Sequence, residues 1–393
     1  MIKKLFGHSK SRIRKSDKEG KRLLWLTDTY DDHNGISMVL QAMHREIKER
    51  DLPIDIMVSS STLAPDNHLF VIKPLTEFTF SFYQNQPIRI PNYREIRRIF
   101  RQYRYDRIIC STEGPMGFAA LYLKKMFSVK TFFFLHTDWI MFARSVMKME
   151  QAGLTHIRRL ARFYYHRYDG LFVLNTEQQE WLSGKEMRID HRRVFLTAHW
   201  AENYFRAMEN RRDELFGVSA GTPVMLFAGR LSHEKGVMEL PALFRQVRNM
   251  VPGLTLIISG TGPAEASLRE AIPEALFLGW VAHDELPMVY SSADILVLPS
   301  RFDTFSCVVL EAISCGLPVI SYESKGPRDI IQHKVSGYLV NDQAEMAGCA
   351  IEFFSDKPVQ YSMKIAALKR SESYSKKVIL DEFVTNIGLA GAW

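Results

Sequence analysis

Two acidic residues follow one apolar run in the second half of the chain. The run ends at Pro299-Ser300, Asp303 lies in the turn that follows, and Glu311 lies inside a predicted helix that starts near Phe305–Ser306. The free amides and the positive dipole end of such a helix form an anion site. Asp303 can then contact the far end of a ligand and Glu311 a group nearer the helix. Alternatively, Asp303 caps the helix and Glu311 is solvated.

Two cations and a pair of glycines follow neighbouring apolar runs. Arg230 ends the run VMLFAGR, and Lys235 follows five residues later. A guanidinium and an ammonium group suit a diphosphate, although such pairs in loops are usually just solvated. The run LTLIISG enters Gly260-Thr261-Gly262-Pro263, but Glu265 stands at the third glycine position of the dinucleotide fingerprint. This disfavours a nicotinamide cofactor and leaves a turn in which backbone can approach a nucleotide.

Short apolar runs alternate with helical periodicity along most of the chain, which predicts an α/β fold with doubly wound parallel sheets. Strands are predicted at 23–28, 54–60, 107–111, 130–135, 170–174, 224–230, 254–260, 275–280, 294–300, 318–322 and 337–340. Helices are predicted at 36–47, 236–250, 264–271, 284–292, 306–315 and 343–355. The pattern lapses in a polar stretch at 201–222. We therefore expect a basic tail at 1–22, Rossmann-like domains at 23–200 and 223–375 with a linker at 201–222, and a segment at 376–393 that can return to the first domain.

The net charge of +7 is concentrated in the tail, which has nine Lys/Arg and two acidic residues in positions 1–22. The rest of the chain is electrically balanced, which argues against a nucleic-acid partner. The tail can bind anionic lipid headgroups or simply be a solubilising extension. It contains no apolar signal region, and the four cysteines show no metal-ligand spacing. We expect a cytoplasmic protein, peripheral on the cytoplasmic face of a membrane if the tail binds lipid.

The motifs occur together in an order that is typical of one family. Arg230 and Lys235, the glycine turn at 260–263, FLGWV at 277–281, ADILVLPS at 293–300, the Asp303/Glu311 pair and GLPVI at 316–320 resemble retaining glycosyltransferases of family 4. The resemblance implies the GT-B fold, in which two Rossmann-like domains face each other across a cleft. It also implies that the first domain is on the acceptor side and that the second binds a nucleotide sugar. The chain differs from the usual pattern in having Asp303 as the first acid and Ser306 where glycine is common.

The resemblance implies transfer of a hexose from a UDP- or GDP-hexose, with retained anomeric configuration and without a cofactor or metal. Glu311 would bind ribose hydroxyls, Asp303 the hexose hydroxyls, and His136 would lie near the reacting sugar. The implied donor-binding residues are Gly35, Arg230, Lys235, Gly260, Gly262, Val281, Thr304, Phe305, Ser306, Cys307 and Glu311. An ordinary turn glycine at position 35 and a structural histidine at position 136 are the alternatives.

The acceptor is less determined by the sequence. One predicted helix has Tyr93, Ile96 and Phe100 on one face and a row of arginines on the other. Such a helix can lie on a membrane surface or pack on the sheet with a solvated polar face, and we favour packing. A lipid, lipid-linked or glycan acceptor is expected. The alternatives are a GT-B scaffold without catalysis that binds a nucleotide sugar or a partner enzyme, and a sugar-nucleotide epimerase or hydrolase.

Overall fold

In the part of the chain that the structure describes, the strands form two parallel sheets, one in each half, and a short antiparallel hairpin. The computed structural model describes residues 21–32, 35–80, 83–136, 140, 143, 149–301 and 303–389. All but the last two residues of the predicted basic tail lie outside these ranges. The two sheets with their covering helices confirm the prediction of two Rossmann-like α/β halves.

The first domain contains a seven-stranded parallel sheet with the strand order β3-β2-β1-β6-β7-β8-β9. Its strands are β1 (Leu23–Thr27), β2 (Ile54–Ser59), β3 (Leu69–Ile72), β6 (Arg107–Cys110), β7 (Lys130–Phe134), β8 (Gly170–Val173) and β9 (Val194–Leu196), and the hairpin is β4 (Pro74–Phe80) with β5 (Tyr83–Pro91). Its helices are α1 (Gly35–Glu49), α2 (Tyr93–Tyr103), α3 (Pro115–Phe127), α4 (Gln151–Tyr165) and α5 (Thr176–Ser183).

The second domain contains a six-stranded parallel sheet with the strand order β12-β11-β10-β13-β14-β15. Its strands are β10 (Val224–Ala228), β11 (Thr255–Ser259), β12 (Leu276–Gly279), β13 (Ile295–Leu298), β14 (Val319–Tyr322) and β15 (Gly337–Val340). The helices that follow α5 are α6 (Arg212–Phe216), α7 (Leu240–Met250), α8 (Glu265–Ala271), α9 (Leu286–Ser291), α10 (Cys307–Ser314), α11 (Lys325–Ile330), α12 (Gln343–Ser355), α13 (Lys357–Glu372) and α14 (Lys376–Asn386).

The central strands are apolar on both faces because helices cover both sides of each sheet. Every residue of β1 and of β10 is buried. In the first domain, α2, α3 and α4 pack on one face of the sheet, and α1 and α14 pack on the other. The carboxyl ends of the strands, where open α/β sheets bind ligands, lead into the loops that precede the helices.

The chain crosses between the domains twice. The first crossing is the segment 201–211, which packs on the second domain through Phe205 and through a 3.0 Å bond from the Met208 amide to Ser291 Oγ. The second crossing leads to α14, whose Phe383 ring stacks on Trp25 of β1 at a centroid distance of 5.5 Å. Lys376 Nζ, at the start of α14, binds Glu46 Oε1 at 2.5 Å. The last helix is therefore part of the core of the first domain.

The basic helix α2 packs on the sheet through its apolar face. Ile96, Ile99 and Phe100 are buried, and the Asn92 side chain caps the helix by accepting bonds from the amides of Arg94 and Glu95. The helix therefore packs on the sheet, as we favoured from its sequence, and its arginines face outward. Within the described parts of the chain, none of the helices combines the length and apolar character needed to cross a bilayer.

Candidate active site

The loops after β10, β11 and β12 are joined by backbone hydrogen bonds at the carboxyl end of the second sheet. The Gly229 amide donates to Ser259 O at 3.0 Å, the Leu231 amide to Thr261 O at 3.0 Å, and the Gly260 amide to Gly279 O at 2.7 Å. Gly260 has a φ of +132°, and a Cβ there would lie 1.9 Å from Gly229 O. The close approach of the two loops thus requires glycine at position 260, independently of any ligand. Gly262 lies in the same turn, and the half-buried Val281 follows β12.

Lys235 and Asp303 meet at the mouth of this sheet. Gly236 turns the chain after Lys235 with a φ of +70°, and a Cβ there would lie 1.9 Å from Pro299 O. This tight turn places Lys235 Nζ in an ion pair with Asp303 Oδ1. Asp303 is therefore not the helix cap, because Ser306 occupies that position before α10. Arg230 is exposed beside the same loop.

The segment before α10 is held from both domains. The Gly326 amide donates to Asp303 O at 2.9 Å, and Asn175 Nδ2 of the first domain donates to Thr304 O at 2.7 Å. Phe305 packs on His199 of the first domain at a centroid distance of 4.9 Å. Cys307 is the first residue of α10, one residue later than the predicted start. The start of α10 thus faces the junction of the domains, where the first amides of a helix can bind an anion.

Glu311 is buried in α10, with 7% of its surface exposed, so it is not the solvated helix residue of the alternative. Its Oε2 accepts a bond from the Tyr290 hydroxyl at 3.0 Å, and its Oε1 lies 3.0 Å from His283 Nε2. The hydrogen bond to Glu311 raises the pKa of His283. His283 Nδ1 in turn lies 2.7 Å from the Tyr204 hydroxyl.

His136 ends the apolar run of β7 in the first domain and lies in an aromatic stack. Its ring is 4.1 Å from Phe134 and 5.9 Å from His199, measured between centroids. Burial holds the pKa of His136 well below its ordinary value and lowers the pKa of His199 to about 3. Both imidazoles are therefore neutral at physiological pH. Among the described residues, His136 Nε2 is a buried atom without a hydrogen-bond partner.

The loop after β1 leads into α1, which begins at Gly35. Nearby, Asp28 accepts bonds from Thr112 Oγ1 at 2.5 Å and from the Met116 amide at 3.0 Å. Burial raises the pKa of Asp28 to about 6. Asp28 therefore fixes the start of α3 and is a structural carboxyl group at the cleft side of the first sheet.

The structure brings Lys235, Asp303 and Glu311 together around α10, and it brings His136 to the same junction through His199 and Phe305. Sequence reasoning missed the partners of these residues, which are Asn175, His199, Tyr204, His283 and Tyr290. One sequence signal could have identified His283: it follows the strand β12, at the end of the sheet where open α/β folds bind ligands. In the described ranges, no group of three or more His, Cys, Asp or Glu residues could hold a metal ion.

Comparisons with known proteins agree with this architecture. Residues 33–205 match the family model described as Glycosyltransferase Family 4, and residues 222–356 match that of Glycosyl transferases group 1. The chain is 20% identical to the alpha-monoglucosyldiacylglycerol synthase of Streptococcus pneumoniae, over 93% of this chain and 87% of that protein. It is 27% identical to a GDP-mannose-dependent alpha-mannosyltransferase of Corynebacterium glutamicum, over 72% of this chain and 66% of that protein.

Solved structures show the same fold. A sucrose-phosphate synthase from Thermosynechococcus elongatus matches with a TM-score of 0.75 and 16% identity, covering 95% of this chain and all of that one. Anabaena Alr3699/HepE in complex with UDP matches with a TM-score of 0.73 and 16% identity, covering 93% and 99%. The fold and the two matched halves define a GT-B glycosyltransferase. The chain belongs to the glycosyltransferase group 1/family 4 proteins, which confirms the resemblance read from its motifs.

Proposed function

We propose that this chain is a retaining hexosyltransferase that moves a hexose from a UDP- or GDP-hexose to a lipid, lipid-linked or glycan acceptor without a metal ion. The observation that carries the proposal is the arrangement around α10. Asp303 is paired with Lys235 just before the helix, and Glu311 is buried within it. Two acids of this kind beside a helix start suit a ligand that has both hydroxyl groups and a diphosphate.

In this proposal the leaving diphosphate is bound by fixed positive charge. Lys235, Arg230 and the first amides of α10 would stabilise the charge that develops as the bond to the sugar breaks, and the backbone at Gly35 would contribute from the first domain. The turn at Gly260 and Gly262 and the residue Val281 would border the nucleotide. The acceptor hydroxyl would transfer its proton to the departing phosphate oxygen.

The two acids would bind different parts of the donor. Each carboxylate oxygen of Glu311 accepts one bond from the protein and has a further lone pair for a ribose hydroxyl. Asp303, which keeps Lys235 in place, would bind hydroxyls of the hexose. The neutral His136 has an unused Nε2 among the described residues, and this atom suits a sugar hydroxyl.

The acceptor proposal rests on the outer surface of the first domain and on relatives. One relative is named for glucosyldiacylglycerol synthesis. Helices α2, α3 and α4 contain a single acidic residue, Glu95, which pairs with Arg98 at 3.6 Å. We call their outer surface the basic helical face; it exposes the basic residues Arg94, Arg98, Arg101, Lys125 and Arg159 and the apolar residues Phe118, Leu160 and Phe163.

We propose that the basic helical face and the tail bind an anionic membrane, which would make the protein peripheral on the cytoplasmic face. Leu160 and Phe163 are 66% and 61% exposed, and burying such side chains in lipid contributes about 1.5–3 kcal/mol each. The double variant Leu160→Ser/Phe163→Ser should therefore bind vesicles containing phosphatidylglycerol much more weakly. The matched control is Tyr361→Ser/Ile365→Ser, an exposed apolar pair on α13.

Deletion of residues 1–20 should also reduce binding to these vesicles, increasingly as salt is lowered. Equal binding by all variants in sedimentation assays would contradict the membrane proposal. It would leave the donor proposal intact, because soluble glycan acceptors remain.

The donor proposal is tested by a thermal-shift screen of UDP- and GDP-hexoses. A donor present at 100 times its dissociation constant should stabilise the protein by about 2.7 kcal/mol. With the preferred donor, Asp303→Asn should lower the transfer rate more than the affinity for the free nucleoside diphosphate, because the Asn side-chain oxygen can still accept a hydrogen bond from Lys235. If no nucleotide sugar stabilises the protein, the donor proposal is wrong. If a donor binds and Asp303→Asn and Glu311→Gln both keep wild-type transfer, the acidic pair is not used as proposed.

A further inference from the structure

A chain of three side chains connects Glu311 to the first crossing between the domains. Glu311 Oε1 lies 3.0 Å from His283 Nε2, and His283 Nδ1 lies 2.7 Å from the Tyr204 hydroxyl. Tyr204 belongs to the segment 201–211. The three residues are separated by 28 and 79 positions in sequence, so the fold alone brings them together.

The hydrogen-bond roles in this chain are determined from its Glu311 end. Glu311 is a carboxylate and can only accept, so His283 must donate from Nε2. In the neutral imidazole, Nδ1 then accepts a hydrogen bond from the Tyr204 hydroxyl. With both ring nitrogens occupied, the ring orientation and the tautomer are fixed.

The segment that contains Tyr204 is itself attached to both domains. The Phe205 ring packs on His283 at a centroid distance of 5.0 Å and on Tyr290 at 6.1 Å. Glu202 binds Arg45 of α1 at 2.5 Å and lies 3.7 Å from Lys376 of α14. The crossing segment therefore connects Tyr204, which bonds to His283, with Glu202, which bonds to the first domain and to α14.

We propose that His283 is a positioning residue for the nucleotide. It holds the Glu311 carboxylate in place and, through Tyr204, links that carboxylate to the segment that crosses between the domains. The inference rests on the proposed role of Glu311 in binding ribose hydroxyls. It adds that the segment crossing between the domains influences the donor site through His283 and Tyr204, which do not touch the donor.

His283 also makes this link sensitive to protons. The groups that face it are Glu311 from α10, Tyr204 and Glu202 from the crossing segment, and Asp284 beside it in the chain. A doubly protonated ring would donate from both nitrogens. The bond to Tyr204 would then reverse its direction, and Glu311 would share its negative charge with an imidazolium. Nucleotide affinity should therefore depend on pH in the range where His283 titrates.

The test measures the affinity for free UDP and GDP by calorimetry, which needs no transfer activity. His283→Ala should weaken binding about tenfold, because a hydrogen bond to a charged group is lost. His283→Gln keeps an N–H near the Nε2 position, so it should restore affinity to within about threefold. The pH dependence expected of the wild type above about pH 6.5, the ordinary pKa of a histidine, should be weaker in His283→Gln, which cannot titrate.

Tyr204→Phe should weaken binding about threefold, because it removes one neutral hydrogen bond. The matched controls are His333→Gln and Tyr361→Phe, which change exposed residues of the same domain and should bind like the wild type. Melting temperatures of all variants show whether each one is folded.

Three patterns would overturn the inference, and they are distinguishable from one another. If Glu311→Gln weakens nucleotide binding but His283→Ala does not, the positioning role is wrong and the proposed function stands. If Glu311→Gln itself binds nucleotide like the wild type, the proposed role of Glu311 fails and the inference fails with it. A folded His283→Gln that binds as weakly as His283→Ala, with an unchanged pH profile, would also contradict the positioning role.

Discussion

The histidines at the junction of the two domains are held in opposite ways. In the first domain, His136 and His199 are buried in an aromatic stack where charge is disfavoured, and their pKa values are lowered. In the second domain, His283 is half-exposed and hydrogen-bonded to Glu311, which raises its pKa. At the junction, the first domain therefore contributes two neutral rings, and the second contributes the charged groups of Lys235, Asp303 and Glu311.

This difference indicates which domain is preformed for a charged ligand. The ion pair of Lys235 with Asp303 and the bonds from Tyr290 and His283 to Glu311 all lie within the second domain or its crossing segment. The first domain contributes Asn175 and His199, which touch the loop before α10. The second domain should thus bind nucleotide by itself, and the first should complete the site.

The largest expected effect comes from breaking the preformed loops of the second domain. Gly260→Ala combines a Cβ 1.9 Å from Gly229 O with a φ of +132°, and we expect it to lower the free energy of unfolding by at least about 3 kcal/mol. Gly253→Ala is the matched control, because it has a φ of +78° with no atom within 4 Å and should cost only about 1–2 kcal/mol. Denaturant titration measures both. Equal losses of unfolding free energy in the two variants would mean that the contact between the loops at Gly260 and Gly229 is not tight.

The next effect concerns the fixed charge at the mouth of the sheet. Lys235→Ala should weaken UDP or GDP binding by about 1.5–3 kcal/mol, the range for hydrogen bonds to charged groups. Lys369→Ala on the exposed side of α13 removes the same charge elsewhere and should leave affinity unchanged. Calorimetry on both variants checks this prediction, and similar affinities for the two would remove Lys235 from the site.

An effect that is smaller per pH unit is expected from the neutral histidines of the first domain. The pKa of His199 is about 3 in the folded state, below its ordinary value near 6.5. Below pH 6.5 the unfolded chain therefore binds a proton that the folded chain does not, and stability falls as the pH is lowered. The slope from this group is at most about 1.4 kcal/mol per pH unit.

His199→Gln should make this acid loss shallower, and the exposed His191→Gln should not. Unfolding free energies between about pH 4 and 6.5 measure the slopes. Identical slopes in the wild type and in His199→Gln would contradict a neutral buried ring.

The smallest effect has the opposite sign and belongs to His283. Its raised pKa means that its stabilisation is complete below its ordinary value of about 6.5 and is lost as the pH rises through the folded value. His283→Gln should therefore be less stable than the wild type in acid and equal to it in alkaline solution. Because the side chain is 38% exposed, we expect a difference below about 1 kcal/mol. A difference that grows with pH would contradict this sign.

Most of the sheet architecture could be predicted from the sequence because buried parallel strands are short continuous apolar runs. Each of the eleven predicted strands overlaps an observed one. The hairpin β4/β5 was missed, as were the edge strands β3 and β9, which have only four and three residues. The basic helix could be located, but its pattern alone did not decide between a membrane and the sheet, because both would bury the same face.

The candidate site was predictable only in part. Asp303, Glu311, Arg230 and Lys235 lie in motifs whose spacing along the chain is informative. Their partners are far away in sequence, and nothing in the residues around Glu311 indicates that His283 and Tyr290 bind it. The pairing of Asp303 with Lys235 depends on the turn at Gly236, whose geometry becomes apparent only in three dimensions.

The position of α14 affects the order in which the protein can be completed during synthesis. Leu380, Phe383 and Val384 belong to the same core cluster as Trp25 and Phe134 of the first domain. While the ribosome is still translating the second domain, the apolar surface of the first sheet that α14 will cover remains open to solvent. Domains generally fold as units from the amino-terminal end. Here the first domain leaves the ribosome first, but its core is complete only after α14 has been synthesised. A translational pause before residue 376 would hold the nascent chain with that surface exposed, at the stage when a chaperone is needed most.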